Sequence, residues 1–162
     1  MTNRYLRRKL TFSAHGRTLV LVKRPQEKIE HGVMMALLWA LYLPHYPDLR
    51  IDVPIGVRYR PDLVQLDGAN RPVFWGEAGE VGAEKLRTLC TRYRDTHLIF
   101  AKWNTNLDPF AAMINLAVNG LRRTAPVELI GFDADADRFV GKTGEIQISF
   151  ADVARRQWRA ER

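Results

Sequence analysis

Asp62 and Glu77 are the residues whose type and spacing could do chemistry. They sit in the stretch RPDLVQLDGANRPVFWGEAGE, residues 60–80, where two apolar runs flank a turn. If residues 68–71 form a four-residue loop, Asp67 pairs with Pro72, and counting outward Asp62 falls opposite Glu77. Directly opposite residues share a face, with Cβ atoms about 4.5–5.5 Å apart. Val64, Leu66, Val73 and Trp75 fill the rest of that face. Two carboxylates so placed repel, and burying them unpaired costs more. A hard dication such as Mg²⁺ relieves both problems, because carboxylate oxygens and water are its preferred ligands. It also lowers the pKa of a coordinated water and clamps phosphate oxygens. The plainer alternative is an ion pair with Arg58, Arg60 or Arg71. A loop one residue longer or shorter would send the two acids to opposite faces.

The elements that must position these acids follow from periodicity and punctuation. LTFSAHGRTLVLV reads as a hairpin turning at His15-Gly16-Arg17. From Pro25, apolar residues at 29, 33, 34, 37, 38 and 41 mark a helix that ends by Pro44 and Pro47. Pro25 suits its first turn, and Glu27 and Glu30 lie near the positive end of its dipole. RIDVPIGVRY reads as a strand that Pro54 confines to an edge or a bulge. After the acidic hairpin come a helix over 83–94, a buried strand at THLIFAKW, and a helix over 109–122 with Asp108 as N-cap. A strand at APVELIGFD follows, then a short hairpin (139–140 with 146–149) and a basic helix over 151–162. The order describes an α/β layer around a mixed sheet.

The chain has 162 residues, of a size for one compact domain spanning 1–162. Its net charge is +7, which favours a polyanionic partner, nucleic acid first, whether DNA or RNA. The longest apolar run, 33–43, is too short to cross a bilayer, so no membrane association is expected. Cys90 is the only cysteine, and no Cys/His zinc spacing is present, which points to a reducing, cytoplasmic compartment. Neither GxGxxG nor GxxxxGK[ST] occurs. The four histidines are dispersed, with no Ser-His-Asp or Cys-His set.

RPDLVQL followed by PVFWGEAGE resembles the PD-(D/E)XK nuclease superfamily, with Pro61-Asp62 as the PD and Glu77 as the next acid. More closely, the chain resembles the YaeQ family, a bacterial branch of it. That likeness also rests on the N-terminal hairpin, Met34-Met35 and Leu37-Leu38 in the first helix, and EKLRTLC, and it covers most of 10–104. It implies a restriction-endonuclease-like mixed sheet with an αβββαβ core, flanked by helices and preceded by a β-hairpin. It implies a nuclease that uses Mg²⁺ or Mn²⁺, with Asp62 and Glu77 as metal ligands. An acid from the first helix would assist, and Glu30 or Glu27 is the candidate.

One position departs from the pattern. The superfamily's lysine, two residues past the second acid, is Gly79 here, on the Glu77 side of the strand. In some relatives the lysine moves to the next helix, and Lys85 would then take that role. Lys102, in a strand expected to be buried, is the other candidate. Without either lysine, the fold would serve as a nucleic-acid or protein binding module without turnover. Trp158, in RRQWRAER, offers a stacking aromatic in a phosphate-binding tail, or simply a docked indole on a solvated helix.

Overall fold

The computed structural model describes residues 9–160. β1 (Lys9–Ala14) and β2 (Arg17–Val22) form the expected hairpin. His15 and Gly16 both take positive φ, 52° and 74°, as a two-residue turn matched to strand twist requires. α1 (Ile29–Tyr42) follows, then β3 (Arg50–Ile51), β4 (Leu63–Leu66), β5 (Pro72–Ala78) and α2 (Ala83–Arg92). β6 (His97–Trp103), α3 (Asp108–Val118), β7 (Val127–Phe132) and β8 (Ala154–Trp158) complete the chain. The six strands β3 to β8 make one mixed sheet in sequence order. β5, β6 and β7 run parallel, and the outer pairs run antiparallel.

The layers follow from which residues are apolar. Every residue of α1 from Val33 to Tyr42 is buried, as befits a helix apolar all round. It packs on one sheet face with Leu63, Phe74, Ile99 and Ile130, and Leu10, Phe12 and Leu21 of the hairpin join the same cluster. α2 and α3 are amphipathic. They bury Leu86, Leu89, Phe110 and Ile114 against Trp75, Leu98, Phe100 and Leu129 on the other face. No helix among the described residues is long and apolar enough to cross a membrane.

Several expectations are corrected. α1 begins at Ile29 rather than at Pro25, because residues 25–26 make a turn in which the Glu27 N–H donates to the Arg24 carbonyl. Glu27 therefore lies outside the helix and pairs with Arg24 at 3.7 Å. The strand expected at RIDVPIGVRY shrinks to Arg50–Ile51, since Asp52 (φ 56°), Pro54 and Gly56 (φ 77°) turn the chain out of the sheet. Asp108 is the first residue of α3, not its N-cap; Leu107 holds the cap position and the Asp108 carboxylate binds Arg156 at 2.6 Å.

The tail is a single 3-10 turn (Phe150–Asp152) and a strand, not a basic helix. β7 offers an open edge whose backbone groups β8 satisfies. The period-2 alternation then sends Arg155 and Gln157 to Glu128 on one face, and Arg156 and Trp158 to Asp108 and Asn115 on the other. Trp158 is thus a docked indole. Of the expected short hairpin, one antiparallel bridge forms, Val140 to Ile146.

Candidate functional site

The β4–β5 turn departs from the simple count and still preserves its outcome. Leu66, not Asp67, pairs with Pro72, and the Asp67 N–H closes the loop on the Arg71 carbonyl at 2.8 Å. A bulge between Gln65 and Leu66 absorbs the extra residue. Below it Gln65 faces Phe74, Val64 faces Trp75 and Leu63 faces Gly76, so Asp62 and Glu77 come next on their strands. Gly76 lets the strands close here, because a Cβ on it would lie 3.2 Å from Leu63 Cβ.

Both acids lie at the carboxyl end of β5, the end of a parallel sheet where ligand sites gather. Glu77 is 4% exposed, and its Oε1 accepts from Trp75 Nε1 and from Lys85 Nζ, both at 2.9 Å. Lys85 stands in the first turn of α2, with its ammonium 5.3 Å from the centre of the Tyr59 ring. Asp62 is half-buried. Its Oδ2 accepts the Ala78 N–H at 2.8 Å, and its Oδ1 lies 3.5 Å from His31 Nε2. Burial pushes the Asp62 carboxyl up against the opposing pull of His31, the Ala78 N–H and Lys85. Burial also pushes Glu77 up, and the charge of Asp62 pushes it further. The two carboxylates therefore sense one another, as their shared end of the hairpin requires.

The arginine alternative does not describe this site. Arg58 pairs with Glu84, Arg60 with Asp52 and Arg71 with Asp67. The partner of Glu77 is a lysine and that of Asp62 is a histidine.

Gly79 differs from its expected orientation. β5 ends at Ala78, and Gly79 turns away with φ 96°. A Cβ there would approach His31 Nδ1, at 4.0 Å, rather than continue the Glu77 side. A lysine at 79 would also strain the backbone.

Lys102 is held elsewhere. Its Nζ donates to the Gly79 carbonyl at 2.6 Å and lies 3.9 Å from the centre of the Phe110 ring. Burial lowers its pKa, partly offset by Glu80. All four backbone polar groups of Ala78 and Gly79 are thus engaged. Ala78 N–H goes to Asp62 and its carbonyl meets His31. Gly79 N–H goes to the Ala101 carbonyl at 3.0 Å, and its own carbonyl meets Lys102. Glu30, in the first turn of α1, is half-buried, and its carboxylate forms no hydrogen bond or ion pair among the described residues.

Sequence reasoning passed over His31 as one of several dispersed histidines. Its signal was helical adjacency to Glu27 and Glu30, the positions expected to face the acids.

Among the described residues no group of three or more His, Cys, Asp and Glu side chains gathers to hold a metal ion. Two carboxylates with water completing the shell are nonetheless what Mg²⁺ accepts. Glu77 already has the Lys85 ammonium and Asp62 the His31 imidazole beside it, so an ion there would share both acids with side chains of the protein. Asp62 and Glu77 are the residues that would hold such an ion, with water supplying the rest of its shell.

Neither a protein-family model nor a curated protein sequence matches the chain. Solved structures do. The YaeQ protein from Pseudomonas syringae aligns with a TM-score of 0.59 at 15% identity, over 87% of this chain and 82% of that one. The YaeQ protein from Xanthomonas axonopodis pv. citri aligns with a TM-score of 0.56 at 17% identity, over 91% of each chain. At such identities the likeness is one of architecture: this chain is built on the fold of the YaeQ proteins.

Proposed function

We propose that the protein is a YaeQ-like member of the PD-(D/E)XK superfamily and a metal-dependent phosphodiesterase acting on nucleic acid. The observation that carries the reading is the ion pair of Lys85 with buried Glu77, 2.9 Å long, beside Asp62 at the carboxyl end of β5. Acid, acid and ammonium are the groups that hydrolysis of a phosphodiester needs. Asp62 and Glu77 hold Mg²⁺ or Mn²⁺, which supplies a clamp on phosphate oxygens and a water of lowered pKa. Lys85 offers its ammonium to the charge that builds on the phosphate. Lys102, tied to the Gly79 carbonyl, keeps the end of β5 in place instead of touching substrate. The excess of cationic side chains in the +7 chain draws the polyanion in.

A second reading has a specific observation behind it. Gly79 stands where the superfamily has lysine, and its φ of 96° turns that position toward His31. If Lys85 serves only to neutralise Glu77, the protein binds nucleic acid without cutting it.

Cleavage of end-labelled single- and double-stranded DNA and RNA by chelator-stripped protein, with and without Mg²⁺ or Mn²⁺, separates the two. Metal-dependent cleavage lowered by about a hundredfold or more in Asp62→Asn and Glu77→Gln supports hydrolysis. Tight binding without cleavage establishes the second reading. Cleavage indifferent to both substitutions removes the site.

A further inference from the structure

β2 leaves one edge of the N-terminal hairpin open. Ser13 donates its N–H to the Gly144 carbonyl and accepts the Ile146 N–H on its own carbonyl, both on the side away from β2. In an antiparallel pair, opposed residues that exchange hydrogen bonds alternate with opposed residues that face away from each other. Ser13 pairs with Thr18, so Thr18, Val20 and Val22 turn their N–H and C=O groups away from β1. None of these groups meets a backbone partner among the described residues. Val20 and Val22 are 48% and 58% exposed. Edge strands of soluble proteins are usually blunted by a proline, a charge or a bulge. Residues 18–22, TLVLV, have no proline and no charge, and their pairing with β1 runs without a bulge.

A groove of about 200 Å³ borders β2 where it meets α1 and β3. Leu21, Ile29, Met35 and Ile51 supply its apolar walls. Its charge is lopsided. The two acids, Glu27 and Asp52, both pair with Arg24, at 3.7 and 3.6 Å, and Asp52 pairs with Arg60 as well. The two lysines, Lys23 and Lys28, pair with no acid among the described residues. Alternating backbone donors and acceptors, an apolar wall and two unmatched ammonium groups suit an extended acidic peptide. A phosphate offers acceptors alone, so it would leave the outward carbonyls unmatched. A second copy paired antiparallel about Val20 would set Arg17 of each chain against Lys23 of the other, and like charges so opposed are destabilising.

We infer that the free edge of β2 and the adjoining groove form a docking site for an extended peptide of another protein, alternately apolar and acidic, which adds to the hairpin as a third strand. The peptide exchanges backbone hydrogen bonds with Thr18, Val20 and Val22. Its apolar side chains enter the groove, and its carboxylates meet Lys23 and Lys28. The site uses none of Asp62, Glu77 and Lys85, so it is independent of the hydrolytic reading.

Fluorescence anisotropy with a labelled peptide of alternating valine and glutamate tests it, beside one counterpart with lysine for glutamate and one with N-methylated backbone amides. The glutamate peptide is expected to bind once per chain, at least about tenfold tighter than either counterpart. Val20→Pro removes an outward N–H that β1 does not use, at an edge position where proline is tolerated. It should weaken the peptide by about tenfold or more with an unchanged circular-dichroism spectrum. Lys23→Glu combined with Lys28→Glu should turn the preference to the lysine peptide, which a misfolded variant would not do. Amide exchange followed by NMR gives an independent readout. The peptide should slow Thr18, Val20 and Val22 but not Leu19 and Leu21, whose N–H groups β1 already holds. No binding, or binding indifferent to Val20→Pro and to the charge reversal, overturns the site. Displacement of the peptide by a single-stranded oligonucleotide of equal length overturns it in favour of a polyanion site. A dimer of the peptide-free protein that Val20→Pro dissociates overturns it in favour of a second copy.

Discussion

Glu77 has one cationic partner, and the energetics of the site turn on it. Lys85→Met leaves a 4% exposed carboxylate with only the Trp75 indole to bind it. Breaking a fully buried pair costs about 3–5 kcal/mol. The Lys85 side chain is 24% exposed, so water recovers part of this, and a loss of about 2 kcal/mol is expected in urea unfolding. Lys85→Arg should recover most of it, and an unchanged midpoint for Lys85→Met would show that Glu77 does not depend on the pair. The two acids were legible at this scale because strand alternation and turn length are local rules. His31 was not, since its link to Asp62 spans from the first turn of α1 to the start of β4. Gly79 misled for a local reason too. Alternation was carried one residue past the point where a positive φ ended the strand.

At the scale of elements, Glu128 is the joint between β7, α1 and β8. Its Oε1 accepts from Arg155 at 2.7 Å and Gln157 at 2.6 Å, and its Oε2 accepts from the Tyr42 hydroxyl. His97 Nε2 lies 3.5 Å from Oε2, an electrostatic contact too long for a good hydrogen bond, while Nδ1 meets the Tyr46 hydroxyl at 2.8 Å. Burial alone would raise this carboxyl, but its partners outweigh burial and hold it down at about 2, against an ordinary 4.5. Burial and the Glu128 charge raise the Tyr42 hydroxyl, which stays a donor. A depressed acid stabilises the fold above its unfolded pKa and loses that contribution as pH falls toward its folded one. Stability is therefore expected to drop by about 3 kcal/mol between pH 4.5 and 2 on account of Glu128. Chemical unfolding across that range should show the drop in the wild type and a flatter curve in Glu128→Gln. Parallel curves would place the acid sensitivity elsewhere. The tail that supplies Arg155 and Gln157 read as a helix because its composition is helix-favouring. The unpaired edge of β7 overrode that preference.

For the molecule as a whole, charge makes the broadest claim. If phosphates are neutralised by the cationic surface, the logarithm of nucleic-acid affinity should fall linearly with the logarithm of salt. Each contact contributes a slope of about −0.7 for single strands and −0.9 for duplex. Fluorescence anisotropy with a labelled oligonucleotide, titrated from low to physiological salt, measures this. A flat dependence would mean that the +7 charge is solvated surface. The sequence by itself determined the element order around the acids, the buried first helix, the hairpin turn at His15-Gly16, and the arrival of Asp62 and Glu77 at one end of a strand pair. These follow from periodicity, turn chemistry and alternation, which act over a few residues. Tertiary structure decided the rest: Lys85 on Glu77, His31 on Asp62, Lys102 on the Gly79 carbonyl, and a strand in place of the last helix. Each of those depends on which backbone groups and buried charges remain unsatisfied after the sheet has formed. A chain supplies such partners from far along its length.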